Sequence, residues 1–373
     1  MAKTKISIVR CESYDEELVY EAIKKGIELI GGIDLIVKEG EKILLKVNNL
    51  VGAKPEEAVT THPSILNAMI RILLEKKVDV SYGDSSRFEK SSTGLAKSGY
   101  TEIADRYSVN MGDFEHGKIV DFPNGIACKK FKIANACLDA DGIISLPKMK
   151  THGLTRITGA VKNQFGCVYG LNKAAFHVKF PNPADFSKML VDLNNLLKPR
   201  LFVMDGILAM EGNGPRGGSP VKMNCIIIST DPVAVDATFC RMIDLDPMFV
   251  PTIKYAKIRG LGAYLQEELD YAGEPIKNFI NNKFSVVRKP VANISMKSLM
   301  PSALRSVIYS RPFIDPEKCI KCGTCVQACP VEGKALNFKE GNRKEPPVYN
   351  YKKCIRCYCC QEMCPSKAIY IRK

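Results

Sequence analysis

Short apolar runs alternate with longer amphipathic segments along the first 280 residues. The apolar runs that we interpret as strands are KISIVR (5–10), KILLKV (42–47), VDVSYGD (78–84), GIISLPK (142–148), RLFVMDGI (200–207) and NCIIIST (224–230). Helical periodicity occupies the segments 15–32, 63–77, 94–107 and 231–243. This alternation predicts an α/β fold, with a mainly parallel sheet covered by helices on both faces. Extra β signals in residues 115–134 indicate an antiparallel excursion.

Two of the predicted helices begin with residues that favour a helix start. Pro63 occupies the first turn of one helix, where a missing backbone N–H costs nothing. Asp231 precedes Pro232 at the start of another, and an aspartate at this position can accept hydrogen bonds from the first free N–H groups.

The C-terminal region has a different pattern, in which cysteine replaces apolar periodicity. Nine of the fifteen cysteines follow residue 318, and eight of them form two copies of C-x2-C-x2-C-x3-C-P. In this arrangement three thiolates bind one [4Fe–4S] cluster and the fourth binds the other. We therefore predict two [4Fe–4S] clusters with crossed ligand sets. The first set is Cys319, Cys322, Cys325 and Cys364, and the second is Cys354, Cys357, Cys360 and Cys329.

Zinc is the alternative for such cysteine pairs, but a zinc site closes with four ligands and fits the duplicated order poorly. Cys359 stands outside the repeat. We interpret it as a small thiol beside a cluster, the alternative being a spare ligand or a redox sensor.

Three parts of the chain follow from these patterns. We predict an α/β domain over residues 1–284, a linker or docking segment over 285–312 and a ferredoxin-like module over 313–373. The docking segment carries apolar residues at near-helical spacing, which we predict to pack on the α/β domain. The alternative is that they cover only the module's own core. These residues are Leu299, Met300, Leu304, Val307, Ile308 and Phe313.

Composition restricts the partners. The net charge is +14 and 46% of the residues are apolar; two oxidised clusters would lower the charge to about +10. The basic residues are scattered, which favours an acidic redox partner such as a ferredoxin or flavodoxin, or an anionic small molecule, over nucleic acid. The sequence contains no run of about 18 apolar residues, so we predict no membrane-spanning helix. The absence of a secretory pattern and the many thiols predict a cytoplasmic protein.

Polar residues converge where the predicted strands end, the usual location of ligand sites in open α/β sheets. Lys46 and Asn48 end one strand, and Asp84 and Ser85 end another. The candidate catalytic residues are Lys148, His152, Lys162, Asp84 and Asp205. Each residue taken alone could be an ordinary loop or capping group, and the site hypothesis depends on their coincidence across strands.

Two glycine-rich stretches supply the candidate binding residues. Residues 146–170 are basic, and we expect a helix from about residue 155 that carries Lys162 and Asn163, with Gly159 and Gly166 permitting close backbone approach. Such a segment suits an anionic ligand, the alternative being a solvated loop. The stretch EGNGPRGGSP (211–220) lacks a Walker A lysine and could equally be a surface turn. The candidate binding residues are Asn48, Ser85, Lys150, Asn163, Glu211, Asn213, Arg216 and His177.

These stretches carry a family resemblance. The order of LLKVNNL, THPSILNAMIRILLE, YGDSS, LPKMKTHGLTRITGAVKNQFGCVYG, DGILAMEGNGPRGG and DPVAVDATFCRMI, followed by the cysteine repeat, resembles the family called domain of unknown function 362. Residues 313–373 resemble bacterial two-cluster ferredoxins. A fainter resemblance, in His152, the stretch 158–160 and Lys162, is to the catalytic domain of nickel-pincer lactate racemases. It implies fold kinship, but those enzymes lack the ferredoxin module, and the same cofactor is not expected.

Three functions are compatible with these features. The first is an iron–sulfur oxidoreductase in which single electrons pass through two clusters to a substrate or cofactor at the strand ends. The second is an electron carrier or activator for a partner enzyme. The third is a non-redox, racemase-like enzyme with structural clusters. An enclosed pocket near residues 146–177 favours the first or third, and a flat basic face favours the second.

Overall fold

A computed structural model describes residues 3–86, 90–170, 172–291 and 310–372. The strands are β1 (Thr4–Arg10), β2 (Lys42–Lys46), β3 (Asp79–Gly83), β4 (Asn110–Met111), β5 (Gly117–Asp121), β6 (Lys130–Ala134), β7 (Gly142–Ser145), β8 (Lys148–His152), β9 (Arg156–Thr158), β10 (Leu201–Glu211), β11 (Ser219–Ser229), β12 (Leu269–Gly273), β13 (Arg311–Ile314), β14 (Leu336–Asn337), β15 (Val348–Tyr349) and β16 (Ile369–Arg372).

Among the described residues, α-helices occur in both the α/β domain and the C-terminal module. They are α1 (Glu16–Leu29), α2 (Pro63–Glu75), α3 (Ser91–Lys97), α4 (Tyr100–Arg106), α5 (Asn135–Leu138), α6 (Ala160–Asn163), α7 (Asn172–Lys179), α8 (Pro183–Leu197), α9 (Pro232–Met242), α10 (Pro251–Arg259), α11 (Thr324–Ala328) and α12 (Cys359–Met363). No described helix is long and apolar enough to cross a membrane.

The α/β domain is built on a sheet of ten strands. Its main path is β12-β1-β11-β10-β7-β2-β3-β4, and β8 pairs with both β10 and β9. Six of the strand pairings are parallel and three are antiparallel. The predicted mainly parallel α/β sheet is therefore confirmed, with antiparallel strands where β11 lies between β1 and β10.

Apolar side chains cover both faces of this sheet, because successive strand residues point to opposite sides. In β2, Ile43 and Leu45 join one buried core and Leu44 joins the other. Helices α1 and α2 pack on the first face, and α8 and α9 pack on the second. Burial of each such side chain contributes about 1.5–3 kcal/mol, which makes the two-sided pattern the main source of stability.

Local signals also account for several boundaries. The side chain of Asp231 accepts hydrogen bonds from the backbone N–H groups of Val233 and Ala234 at 2.8 and 3.1 Å, as expected for a cap. The β signals in residues 115–134 form the antiparallel hairpin β5–β6. One helix predicted over 94–107 is two helices, α3 and α4. The break falls at Gly99, whose φ of +80° is a conformation that glycine adopts without strain.

The basic segment departs from its predicted structure. The strand predicted over 142–148 ends at Ser145 and β8 begins at Lys148, beyond Pro147. The helix expected from about residue 155 begins only at Ala160, because residues 156–158 form β9, which pairs with β8. Gly159 separates strand from helix. This shift places α6, rather than an extended helix, at the ends of the strands.

The C-terminal module is a small α+β unit with an internal duplication, as predicted. Strand β13 pairs with β16 and β14 pairs with β15, both antiparallel, and α11 packs near α12. Phe313 lies in β13 and is 40% exposed. The other five residues of the predicted docking stripe, from Leu299 to Ile308, lie outside the described residues.

Candidate functional site

A small cavity lies between the strand ends of the α/β domain and helix α12 of the C-terminal module. Its volume is about 60 Å³. We call it the junction cavity, because Glu362 and Met363 of the module form one of its walls. The residues that line it are Asn48, Leu50, Asp84, Ser85, Lys150, Thr158, Lys162, Asn163, Phe165, Gly166, Lys173, His177, Pro215, Glu362 and Met363.

One side of the cavity is supported by a buried ion pair. Lys46, at the end of β2, lies 2.9 Å from Asp84 Oδ1, and both side chains are almost completely buried. The other carboxylate oxygen of Asp84 accepts a hydrogen bond from the backbone N–H of Asn49 at 2.8 Å. Gly166 passes directly over this pair, and a Cβ atom there would overlap Asp84 Oδ1. The close backbone approach expected at Gly166 is therefore present, and the absence of a side chain there leaves room for the ion pair.

A polar network joins three strand ends to α6. The Lys150 ammonium donates to Asn48 Oδ1 at 2.6 Å, and Asn48 Nδ2 donates to Asn163 Oδ1 at 2.9 Å. Asn163 Nδ2 in turn donates to Ser145 Oγ at 2.9 Å. Burial lowers the pKa of Lys150 well below its usual value. The chain of bonds fixes the orientation of each amide and holds Lys150 against the cavity.

Two further lysines and a histidine reach the cavity from α6 and α7. Burial lowers the pKa of Lys162, and it lowers the pKa of Lys173 to about 8. The Lys173 ammonium donates a hydrogen bond to the backbone carbonyl of Ser85. The Ser85 hydroxyl lies 2.7 Å from the carbonyl oxygens of both Gly166 and Val168. His177 is stacked on Phe186, with ring centroids 4.7 Å apart.

Asp236 positions α6, although nothing in the sequence singled it out. Its carboxylate accepts hydrogen bonds from the backbone N–H groups of Ala160, at 2.6 Å, and Val161, at 3.2 Å. Burial raises the pKa of Asp236 to about 7 despite these two donors. A Cβ atom on Gly159 would overlap the same carboxylate. The only available signal was an acidic residue inside an otherwise apolar helix.

His152 connects the α/β domain to the module. Its Nδ1 accepts hydrogen bonds from the backbone N–H groups of Leu154 and Thr155, at 3.0 and 3.3 Å, so Nε2 carries the proton. Nε2 lies 3.1 Å from Oε1 of Glu362. Burial lowers the pKa of His152 to about 4. Burial opposes ionisation of Glu362, but His152 and Lys162 outweigh it and lower its pKa. A neutral imidazole therefore faces a carboxylate.

The predicted catalytic residues Lys148 and Asp205 are brought together, but they do not line the junction cavity. The Lys148 ammonium lies 2.7 Å from Asp205 Oδ2, and both side chains are completely buried. Tyr14 donates to Asp205 Oδ1 at 2.8 Å and accepts from Lys148 at 2.9 Å. Burial lowers the pKa of Lys148, against the effect of Asp205. The five predicted catalytic residues therefore lie in different places. Asp84 and Lys162 line the junction cavity, whereas His152 does not line it but contacts the lining residue Glu362.

The glycine-rich stretch 211–220 lies against the module rather than at the cavity, apart from Pro215. Asn213 Nδ2 donates to the carbonyl oxygen of Ile369 at 2.8 Å, and Arg216 donates to that of Met363 at 2.8 Å. Gln361 Nε2 donates to the carbonyl oxygens of Asn213 and Gly214 at 2.8 and 3.0 Å. We call this stretch the docking loop. Glu211 has another partner, because its side chain accepts from the backbone N–H of Ser285.

The cysteines of the module surround two small cavities. One is lined by Cys319, Cys322, Cys325 and Cys364. The other is lined by Cys329, Cys354, Cys357 and Cys360. Sulfur atoms in both sets receive hydrogen bonds: Ala335 N–H donates to Cys329 Sγ at 3.2 Å, and Ala368 N–H donates to Cys364 Sγ at 3.3 Å. Cys359 lines neither cavity and is completely buried.

Comparisons with known proteins match two separate parts of the chain. The family model described as a domain of unknown function, DUF362, matches residues 43–241. The model described as a 4Fe–4S dicluster domain matches residues 311–365. The thylakoid-associated protein sll1697 of Synechocystis sp. is 30% identical over 288 residues, which are 77% of this chain and 89% of that protein.

Two solved structures are also similar in part. The lactate racemase apoprotein of Thermoanaerobacterium thermosaccharolyticum has a TM-score of 0.43 and 12% identity, over 65% of this chain and 57% of its own. A Thermotoga maritima protein has a TM-score of 0.34 and 14% identity, over 57% of this chain and 55% of its own. The chain therefore spans little more than half the length of either structure.

Proposed function

We propose that this chain, which belongs to the DUF362 family and carries a 4Fe–4S dicluster domain, is an iron–sulfur oxidoreductase that acts on a small molecule in the junction cavity. One observation carries the proposal. The cavity wall contributed by the module is α12, whose residues Glu362 and Met363 lie in the chain between Cys360 and Cys364. A bound ligand would therefore be adjacent to the segment that connects the two cysteine sets.

The arrangement of the cysteines supports two [4Fe–4S] clusters. Each of the two small cavities is lined by four cysteines, in the crossed combination expected for a duplicated repeat. Hydrogen bonds from backbone N–H groups to Cys329 and Cys364 suit sulfurs that bear negative charge as thiolates. When bound, such clusters supply single electrons at low potential.

The burial of the two cysteine sets supports a direction for electron entry. Cys322 is exposed and Cys319 is half-buried, whereas Cys357 and Cys360 are buried. Tyr358, between the buried cysteines, belongs to the core of the α/β domain. The set that contains Cys322 thus lies on the outer side of the module and the set that contains Cys357 on the inner side.

The partner we propose is an acidic one-electron carrier protein, such as a ferredoxin or flavodoxin, that docks beside Cys322. The adjacent Ile320 is 64% exposed, and Lys318 and Lys321 are exposed next to it. The module carries twelve basic and six acidic residues over 313–373. An apolar contact within a basic surrounding favours an acidic partner.

In the junction cavity, the lysines would bind an anionic substrate and the asparagines would orient it. Lys150 is held in place by Asn48, and Asn163 holds Asn48. Asp84 and His177 are the lining groups that could hold or transfer a proton. Lys148 and Asp205 would act at a distance, because their ion pair joins β8 to β10 rather than facing the ligand.

The exposed outer rim also favours a second function, that of an electron carrier for a partner enzyme. A carrier needs an exposed cluster edge, which Cys322 supports, but it does not need a cavity lined by three lysines. The two functions therefore differ in the expected effect of substitutions in the cavity.

Cluster content is the first test. Anaerobically purified protein should contain about eight iron and eight sulfide ions per chain. Cys322→Ser and Cys357→Ser should each lower the content, whereas the matched variant Cys359→Ser should not. Stoichiometric zinc in place of iron would contradict the proposal.

The second test separates oxidoreductase from carrier. Small molecules extracted by acid from the anaerobically purified protein are added to dithionite-reduced protein, and cluster reoxidation is followed by stopped-flow absorbance. We expect reoxidation that slows at least about tenfold in Lys162→Met, the loss of one charged contact, and that is unchanged in the matched surface variant Lys118→Met. Reoxidation by an acidic ferredoxin alone, at the same rate in both variants, would favour the carrier.

A further inference from the structure

Lys162 differs from the other lysines around the junction cavity because no hydrogen bond or close ion pair joins its ammonium group to a described residue. Lys46 is paired with Asp84, Lys150 with Asn48, and Lys173 with the Ser85 carbonyl. The Lys162 ammonium makes no hydrogen bond or ion pair with any described residue, although Lys162 lines the cavity. The carboxylate that most favours its charged form, Glu362, lies beyond ion-pair distance and faces His152 instead. A partly buried cation without a close counter-ion is unfavourable, so this group is suited to a ligand that supplies a closer negative charge.

Other polar groups of the cavity also lack hydrogen-bond partners among the described residues. Thr158 Oγ1 and His177 Nδ1 have none, and these residues are 2% and 3% exposed. Both atoms can donate a hydrogen bond, the histidine in its Nδ1–H tautomer. Buried polar groups are normally satisfied. Together with Lys162 they supply donors for the oxygen atoms of an anion. Two carboxylate oxygens of the lining, Asp84 Oδ1 and Glu362 Oε1, also lack hydrogen bonds but lie at ion-pair distance from Lys46 and His152.

Charge and size restrict the anion further. Lys46, Lys162 and Lys173 face the carboxylates of Asp84 and Glu362, which leaves an excess of positive charge even without Lys150. The cavity of about 60 Å³ corresponds to about four to six water-sized groups at roughly 10–15 Å³ each. Nucleotides and flavins need sites of about 300–1,000 Å³, so the cavity is far too small for them.

The remaining wall is apolar. Leu50, Phe165, Pro215 and Met363 line the cavity beside the polar groups. An inorganic oxoanion has no apolar part to place against such a wall, whereas a short carboxylic acid has both a charged end and a hydrocarbon end. The two kinds of lining surface therefore favour a carboxylate over sulfate or phosphate.

We infer that the junction cavity binds a short-chain carboxylate of about four to six non-hydrogen atoms, with Lys162 as its counter-ion and Thr158 as a hydrogen-bond donor. This inference rests on the proposed function for its role as substrate, because binding alone does not require electron transfer. It names the class of molecule on which the oxidoreductase would act.

The test uses the full chain, purified anaerobically with its clusters, and measures binding by isothermal titration calorimetry. Acetate, propionate and butyrate are the probes, sulfate tests a small anion without an apolar part, and benzoate tests a larger carboxylate. We expect propionate and butyrate to bind more tightly than sulfate, and benzoate not to bind. Equal affinity for sulfate and propionate, or tight binding of benzoate, would overturn the inference.

Two variants connect the binding to the named residues. Lys162→Met should weaken propionate binding at least about tenfold, because it removes a charged contact, and Lys118→Met, an exposed lysine on β5, should not. Thr158→Val keeps the side-chain shape and should weaken binding several-fold, so the test does not depend on one variant. Propionate affinity unchanged in both cavity variants would overturn the inference.

Failure of the inference is distinguishable from failure of the proposed function. Propionate binding that depends on Lys162, without any reoxidation of reduced clusters by the extracted molecules, would leave the binding site intact and refute the oxidoreductase. Reoxidation by extracted molecules, without binding of any carboxylate probe, would support the oxidoreductase and refute the carboxylate site.

Discussion

The buried ion pair between Lys46 and Asp84 gives the sharpest stability prediction, because each group depends on the other. The substitution Asp84→Asn removes the negative charge but keeps the shape of the side chain and an oxygen that can accept from Asn49. Lys46 would then retain, among the described residues, only its hydrogen bond to the Val47 carbonyl at 2.7 Å. An ammonium group with 0% side-chain exposure would be left without a counter-ion.

The expected cost follows from this burial. Removing one partner of a buried ion pair destabilises a protein by about 3–5 kcal/mol, whereas replacing both partners by neutral groups is often close to neutral. We therefore expect Asp84→Asn to lower the free energy of unfolding by about 3–5 kcal/mol. The double variant Lys46→Met/Asp84→Asn should recover most of that loss, which gives a coupling energy of about 2 kcal/mol or more.

Anaerobic urea unfolding, followed by far-UV circular dichroism, measures the four members of this cycle. Iron content is measured in parallel, so that loss of the clusters is not mistaken for loss of the α/β domain. If Asp84→Asn costs less than about 1 kcal/mol, or if the double variant is as unstable as the sum of the two single variants, the pair does not carry the electrostatic role that its geometry indicates.

Three further predictions address α7, α6 and the docking loop. Since burial lowers the pKa of Lys173 from 10.5 to about 8, the folded chain binds fewer protons than the unfolded chain between these values. The free energy of unfolding should therefore rise with pH between about 8 and 10.5, by at most about 3 kcal/mol. Thermal melts of Lys173→Met over the same pH range should lack this rise. If the variant has the same pH dependence as the wild type, Lys173 is not its source. Gly159→Ala places a Cβ atom against Asp236, so the melting temperature should fall by an amount equivalent to about 1–3 kcal/mol; a wild-type melting temperature would show that α6 can shift freely. Gln361→Ala removes the side chain that donates to the carbonyl oxygens of Asn213 and Gly214, so the contact between module and docking loop should weaken by about 1–3 kcal/mol. Amide hydrogen exchange in α12 should then become faster. Unchanged exchange would show that other contacts hold α12 against the docking loop.

Much of the fold was accessible from the sequence because its signals are local. The apolar alternation of β2 depends only on the two-residue period of a strand, and both faces of the sheet are buried as that pattern predicts. The Asp231 cap uses backbone groups two and three residues away. The cysteine repeat is equally visible, because the spacing within each copy is a property of one short segment.

The composition of the site was predicted only in part, and the reason is geometric. Lys148 and Lys150 are two residues apart in β8, so they have the same alternation in sequence. The register of β8 against β10 places Lys148 opposite Asp205, and an irregularity then separates Lys150 from that pair. One lysine thereby becomes half of a buried ion pair, and the other lines the cavity. No local pattern distinguishes these two environments.

Most strands and helices, the duplicated cysteine repeat and the polar residues at the strand ends can be identified from the sequence, whereas the break at Gly99 and the start of α6 at Ala160 could not. The tertiary structure alone decided which of those residues meet. Glu362 reaches the cavity from more than two hundred residues beyond Lys150, and the docking loop binds α12 through backbone carbonyls that any sequence provides. Local signals fix secondary structure because they act within a few residues, whereas a site between two domains depends on register and docking, which arise only when distant segments pack together.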